Sequence, residues 1–179
     1  DIEMIYSAWL TDIKSNGTTI SGFKMDKFDY YVEFPQGTNP QTPLPTITYT
    51  TEVNDAKAVV NTIYKSQGSI DSAIQRITVT AEDGVTQKIY NIHYSIYKSN
   101  NNNLASFSYI PYGENVSNNI TVSQDTTYIS LAPGTTIAPT ITEYVLADTT
   151  ANAVITQATS PEGVATIAVT AENGNVKIY

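Results

Sequence analysis

At 179 residues the chain is long enough for one large domain or two small ones, and only 15% of it is charged, so its surface is largely neutral and polar. The net charge of -8 disfavours nucleic acid and anionic membrane as partners. With no cysteine it has neither a disulfide framework nor a thiolate metal site, and no apolar run approaches the ~18 residues of a membrane span.

In chain order, residues 1–6 read as a half-strand in which Ile2 and Met4 alternate as Ile92 and Tyr94 do later in the chain. Residues 7–97 read as a first β-sandwich. Its apolar residues recur with period two, as in Ile77, Val79, Ala81 and again Tyr90, Ile92, Tyr94, which is the pattern of strands with one buried face. Between those two runs Glu82-Asp83-Gly84 supplies the positive backbone angles of a tight hairpin. Residues 98–103, rich in asparagine, read as a linker. Residues 104–179 read as a second sandwich, with Ile167, Val169, Ala171 and the turn Glu172-Asn173-Gly174 repeating the earlier motif. No stretch shows sustained helical spacing, and Pro35, Pro40, Pro43, Pro45, Pro133 and Pro139 sit just outside the apolar runs. The fold class is therefore all-β: two tandem antiparallel β-sandwiches of about seven short strands each.

The two halves are copies. Thr80 and Thr170 are equivalent, as are Gly37-Thr38 and Gly134-Thr135, Ala56 and Ala151, and Leu10 and Leu104. Their separations drift by loop-sized steps, as insertions in turns produce. The first copy ends Lys88-Ile89-Tyr90-Asn91-Ile92-His93-Tyr94-Ser95-Ile96-Tyr97, whereas the second stops at Lys177-Ile178-Tyr179.

The pattern Leu10-x-x-Ile13-x-x-Asn16-Gly17, then Phe23-x-x-Asp26-x-x-x-Tyr30-x-Val32-x-Phe34-Pro35-x-Gly37-Thr38, then Ile77 to Gly84, resembles the cadherin-like β-sandwich repeat of bacterial secreted and surface proteins. The likeness covers essentially all of the first copy. In the second, Asp125 and Tyr128 are one residue closer than Asp26 and Tyr30, which shifts or bulges its second strand. The resemblance implies an immunoglobulin-like sandwich used as a spacer, stalk or accessory module, commonly in tandem and beside polysaccharide-active or adhesive domains. Fold alone does not give function.

The residues argue against an enzyme. His93 is the single imidazole, alternating with Ile92 and Tyr94 on a strand, where a solvent-facing role is expected, and no Gly-x-Ser-x-Gly elbow is present. Phosphate-loop, dinucleotide-binding and His-Glu-x-x-His spacings are absent too. The carboxylate pairs Asp26/Asp29, Glu82/Asp83 and Glu52/Asp55 lack calcium-bridging spacing and read as turn carboxylates bonding nearby amides, so no cofactor or metal is expected. Trp9, Tyr109 and Tyr112 are candidates for stacking on sugar rings. Ser72, Thr126 and Thr149 follow Asp in O-glycosylation-like triplets, and Asn16, Asn115 and Asn119 fit the N-linked pattern.

The principal functional expectation concerns assembly. A half-length closing strand leaves unpaired amides and an uncovered apolar groove, a template for another chain. Ile2, Met4 and Tyr6 are the expected donor strand, and Lys177, Ile178 and Tyr179 the expected acceptor, in a secreted, non-enzymatic subunit whose partners are other copies of itself, head to tail. A chain opening on Asp is either a mature product or an excised piece, both compatible with secretion to the cell surface. The alternatives are two repeats of a covalent adhesin or stalk array, or accessory modules of a secreted polysaccharide-active enzyme with polysaccharide as a partner.

Overall fold

The computed structural model describes residues 6–66 and 68–179, in two compact units, Asp1–Tyr97 and Lys98–Tyr179. No helix occurs among the described residues. The first unit contains β1 (Leu10–Ser15), β2 (Thr18–Thr19), β3 (Asp29–Phe34), β4 (Ile47–Thr51), β5 (Lys57–Ile63), β6 (Ile74–Thr80) and β7 (Gln87–Ile96). The second contains β8 (Leu104–Ile110), β9 (Asn118–Thr121), β10 (Thr140–Leu146), β11 (Asn152–Thr156), β12 (Thr166–Thr170) and β13 (Val176–Ile178).

In the first unit a sheet ordered β2-β1-β4 faces one ordered β3-β7-β6-β5. The period-two runs do what alternation requires: Ile77 and Val79 of β6 and Tyr90, Ile92 and Tyr94 of β7 turn inward to meet Leu10 and Ile13 of β1. The buried phenols carry their hydroxyls to acceptors, Tyr30 to the Lys27 carbonyl at 2.8 Å and Tyr94 to Gln75 Oε1 at 2.6 Å. Burial therefore leaves no orphaned donor at either ring. One pairing departs from the all-antiparallel expectation: β3 runs parallel to β7, with Tyr30 opposite Ile92 and Val32 opposite Tyr94. Side-chain alternation is the same in parallel and antiparallel strands, so it carries no information on direction.

The second unit pairs β10-β8-β9 in one sheet and β11-β12-β13 in the other. Its buried cluster is Leu104, Phe107, Ile167 and Val169, with Ile129, Ile141 and Tyr179 packed against it. The duplication extends to individual hydrogen bonds. The Leu10 amide donates to the Tyr90 hydroxyl and the Leu104 amide to the Tyr179 hydroxyl, both at 3.2 Å. Thr38 Oγ1 donates to the Pro35 carbonyl at 2.7 Å, and Thr135 Oγ1 to the Ala132 carbonyl at 2.6 Å. Ser7 Oγ donates to Glu52, and Ser99 Oγ to Asp148. The asparagine-rich stretch belongs with the second unit: Ser99 is buried, its carbonyl accepts from the Asn173 amide at 3.0 Å, and Asn102 Nδ2 donates to the Asn175 carbonyl at 3.4 Å.

The copies differ at β3. In the first unit β3 lies beside Asn91–Ile96, the last residues of β7. In the second unit residues 126–131, which correspond to β3, form no strand.

Candidate functional site

Pairing across β3, β7, β6 and β5 sets a polar and aromatic network on the outer face of that sheet. Tyr31 lies opposite His93, and Asp29 opposite Asn91, which in turn lies opposite Arg76. His93 and Arg76 are the chain's one histidine and one arginine. Arg76 Nε donates to Asn91 Oδ1 at 3.1 Å, Asn91 Nδ2 donates to Asp29 Oδ1 at 3.2 Å, and His93 Nε2 donates to the same oxygen at 2.8 Å. The His93 bond, with that from Asn91, holds the Asp29 carboxyl below the usual carboxylate range. Tyr31 stacks on His93 with centroids 4.9 Å apart and planes 15° apart, while the residue as a whole remains 79% exposed. Glu33 is exposed two residues further along the same face. This network was not anticipated from sequence. Its only local sign was that Asp29, Tyr31 and Glu33 share one strand parity and Asn91 and His93 another.

The sugar-stacking candidates fall into different environments. Trp9 stacks on Phe28 at 5.9 Å, and Lys88 Nζ sits 3.5 Å from the Trp9 ring centroid, covering a face that a sugar would need. Tyr109 packs against the core of the second unit, opposite Ile141, whereas Tyr112 is 70% exposed in the turn closed by the Glu114 amide and the Pro111 carbonyl. Strand parity sends Tyr109 inward and the turn sends Tyr112 outward, so the two do not form one platform.

Among the glycosylation candidates, Thr126, Thr149, Asn115 and Asn119 are exposed. Ser72 is half-buried with φ 72°, its amide donating to the Tyr94 carbonyl at 2.9 Å. Asn16, with φ 47°, accepts the Thr46 amide on Oδ1 at 2.9 Å, and Asn119 Nδ2 donates to Ser108 Oγ at 3.1 Å. Of the carboxylates in the predicted pairs, Asp83 accepts the Val85 and Thr86 amides at 2.9 and 2.8 Å as a turn carboxylate does, whereas Glu52 accepts from the hydroxyl of the sequence-distant Ser7 and Asp29 from His93 and Asn91. Among the described residues no group of three or more His, Asp or Glu side chains is arranged to hold a metal.

Of the expected donor strand, Ile2 and Met4 lie outside the described residues, and Tyr6 is 40% exposed beside a shallow depression with Ser7, Trp9 and Glu52. On the acceptor side, β13 pairs with β12, and Tyr179 extends that ladder by exchanging backbone bonds with Ile167 at 2.9 and 3.0 Å. Lys177 Nζ bonds Asp125 Oδ1 at 2.9 Å and lies 4.7 Å from the Tyr179 ring centroid. The Asp125 bond raises the Lys177 pKa. Ile178 is 62% exposed. Beside β13, a cleft of about 530 Å³ is lined by Phe107, Tyr109, Ile129, Leu131, Ile167 and Ile178, among others. It lies in the second unit, where the segment corresponding to β3 forms no strand.

No helix among the described residues is long and apolar enough to cross a membrane. No family model matches the chain, and no solved structure matches it significantly. Over 91 residues, half of the chain, the sequence is 32% identical to a gellan lyase from Bacillus sp, a protein of which the chain spans only 3%.

Proposed function

We propose that these two units are non-catalytic β-sandwich modules of a secreted protein that works on or near polysaccharide. The observation that carries this reading is the 32% identity over 91 residues with a stretch that is a small fraction of a gellan lyase. A match of about one repeat's length within a far longer polymer-acting protein is what a shared accessory module produces. The duplicated hydrogen bonds at Leu10/Tyr90 and Leu104/Tyr179 support a repeat that recurs as a unit. The cadherin-like resemblance of the first copy points the same way. In this reading the modules space, orient or tether a partner domain, and their own chemistry is limited to binding.

The denatured mass of the native polypeptide carrying these residues tests the proposal. A mass well above 19.5 kDa, with further domains on the same chain, is expected. A discrete polypeptide near 19.5 kDa overturns the accessory-module reading.

A second reading is favoured by the cleft beside β13. An extended segment with the alternation of Ile92, Tyr94 and Ile96 would complete that sheet, and Ile2, Met4 and Tyr6 of another copy have it. Burying two such side chains contributes roughly 1.5 to 3 kcal/mol each, and each ladder bond about 1 kcal/mol. Head-to-tail filaments result if each copy completes the next. Sedimentation of the chain with residues 1–6 deleted decides this: loss of association is expected, and unchanged association sinks strand donation.

A further inference from the structure

The outer face of the β3-β7-β6-β5 sheet carries a ring that its fold holds still and leaves open. Tyr31 is 79% exposed, yet its stacking on His93 at 4.9 Å fixes its orientation on a regular strand. A platform ordered in advance loses little side-chain entropy when a flat ligand settles on it. On either side of it along β3 stand Asp29 and Glu33, each about 6.6 Å away at strand rise. Asp29 is aimed by bonds from both His93 and Asn91, and Arg76 in turn orients Asn91. A half-exposed carboxylate kept ionised is a strong acceptor of hydroxyl protons.

We propose that this face binds a neutral pyranose residue of a polysaccharide, whose C–H face stacks on Tyr31 while its rim hydroxyls donate to Asp29 and Glu33. The ring's negative quadrupole attracts the electropositive C–H bonds. The choice of a neutral sugar over a uronate follows from charge: two carboxylates flank the platform and the chain carries -8 overall. A ligand carboxylate there meets repulsion on both sides. His93 and Arg76 are positioning residues, acting through Asp29 and Asn91. This inference rests on the reading of the chain as polysaccharide-associated modules and gives that reading a site.

Affinity electrophoresis of the full 179-residue chain tests it, in gels containing xyloglucan, galactomannan or polygalacturonate. Retardation by a neutral polymer and none by polygalacturonate is expected. Tyr31→Ala is expected to weaken the apparent association constant about tenfold, about 1.4 kcal/mol. Tyr31→Phe keeps the ring and stays within about twofold of the unsubstituted chain. Tyr128→Ala, which removes an exposed tyrosine from the other unit, leaves retardation unchanged, and circular dichroism confirms that each variant is folded. Retardation that survives Tyr31→Ala overturns the site while leaving polysaccharide association standing. Failure of the unsubstituted chain to bind either neutral polymer, preference for polygalacturonate, or a Tyr31→Ala effect confined to self-association also overturns it. The module reading stands or falls separately, on the mass of the native polypeptide.

Discussion

The amide of Leu104 donates to the phenol oxygen of Tyr179 at 3.2 Å, tying the first strand of the second unit to its last described residue across 75 positions of sequence. The same hydroxyl lies 3.3 Å from the Asn102 carbonyl, so one side chain serves both an amide and a carbonyl. Tyr179→Phe keeps the ring and removes both bonds. The expected cost is about 1 to 2 kcal/mol to the second unit alone, a fall of several degrees in its melting temperature. Tyr90→Phe, which loses the Leu10 amide and the Met25 carbonyl at 3.2 and 2.9 Å, has the corresponding effect on the first unit. Calorimetry of the two variants resolves which transition moves; a shift of both transitions by either change counts against independent anchors.

Ser99 and Asp148 form the second unit's copy of the Ser7–Glu52 contact. The Ser99 hydroxyl, followed by the hydroxyl and amide of Thr150, holds the Asp148 carboxyl below its ordinary value. A depressed folded-state pKa gives stability that is present above the unfolded value of about 3.9 and lost as pH falls through the lower folded value. Ser99→Ala therefore flattens the acid limb of the second unit's stability profile. Urea midpoints of that transition at a series of pH values below 5 should fall more shallowly in the variant than in the parent. Parallel profiles would show that the contact contributes no linkage.

Gly84 and Gly174 close equivalent hairpins with φ of 70° and 91°, and a Cβ at either position meets nothing within 4 Å. Alanine there costs backbone strain and no steric clash, about 1 to 2 kcal/mol. Asparagine, which tolerates this region, costs less. Thermal unfolding of the four single variants should rank Gly above Asn above Ala at both turns. Equal melting temperatures would mean that the turns relax to another conformation.

Lys88 Nζ lies over Trp9, the chain's one tryptophan, at 3.5 Å from the ring centroid. Lys88→Gln removes a cation–π contact of about 0.5 to 1 kcal/mol and changes the Trp9 emission without unfolding the unit. Because Lys88 already covers that face, Trp9→Ala leaves polysaccharide retardation as it is in the parent. Loss of retardation in Trp9→Ala would move the sugar platform from Tyr31 to Trp9.

Local chemistry was legible in the chain before it folded. The alternation of Ile77, Val79, Tyr90, Ile92 and Tyr94 marked strands with one buried face, the Gly84 and Gly174 turns marked hairpins, and the matched motifs marked two copies. The first two are properties of residues a few positions apart, because strand period and turn angles are set by nearest neighbours, and the third is read by matching the sequence against itself. Tertiary structure alone decided which strands became neighbours and in what direction. That choice put β3 parallel to β7 and stacked Tyr31 on His93. It also joined Arg76, Asn91 and Asp29 in one chain of bonds, laid Lys88 over Trp9, and separated Tyr109 in the core from Tyr112 in a turn. Alternation says that a residue shares a face with others of its strand; only pairing with distant strands says what stands beside it.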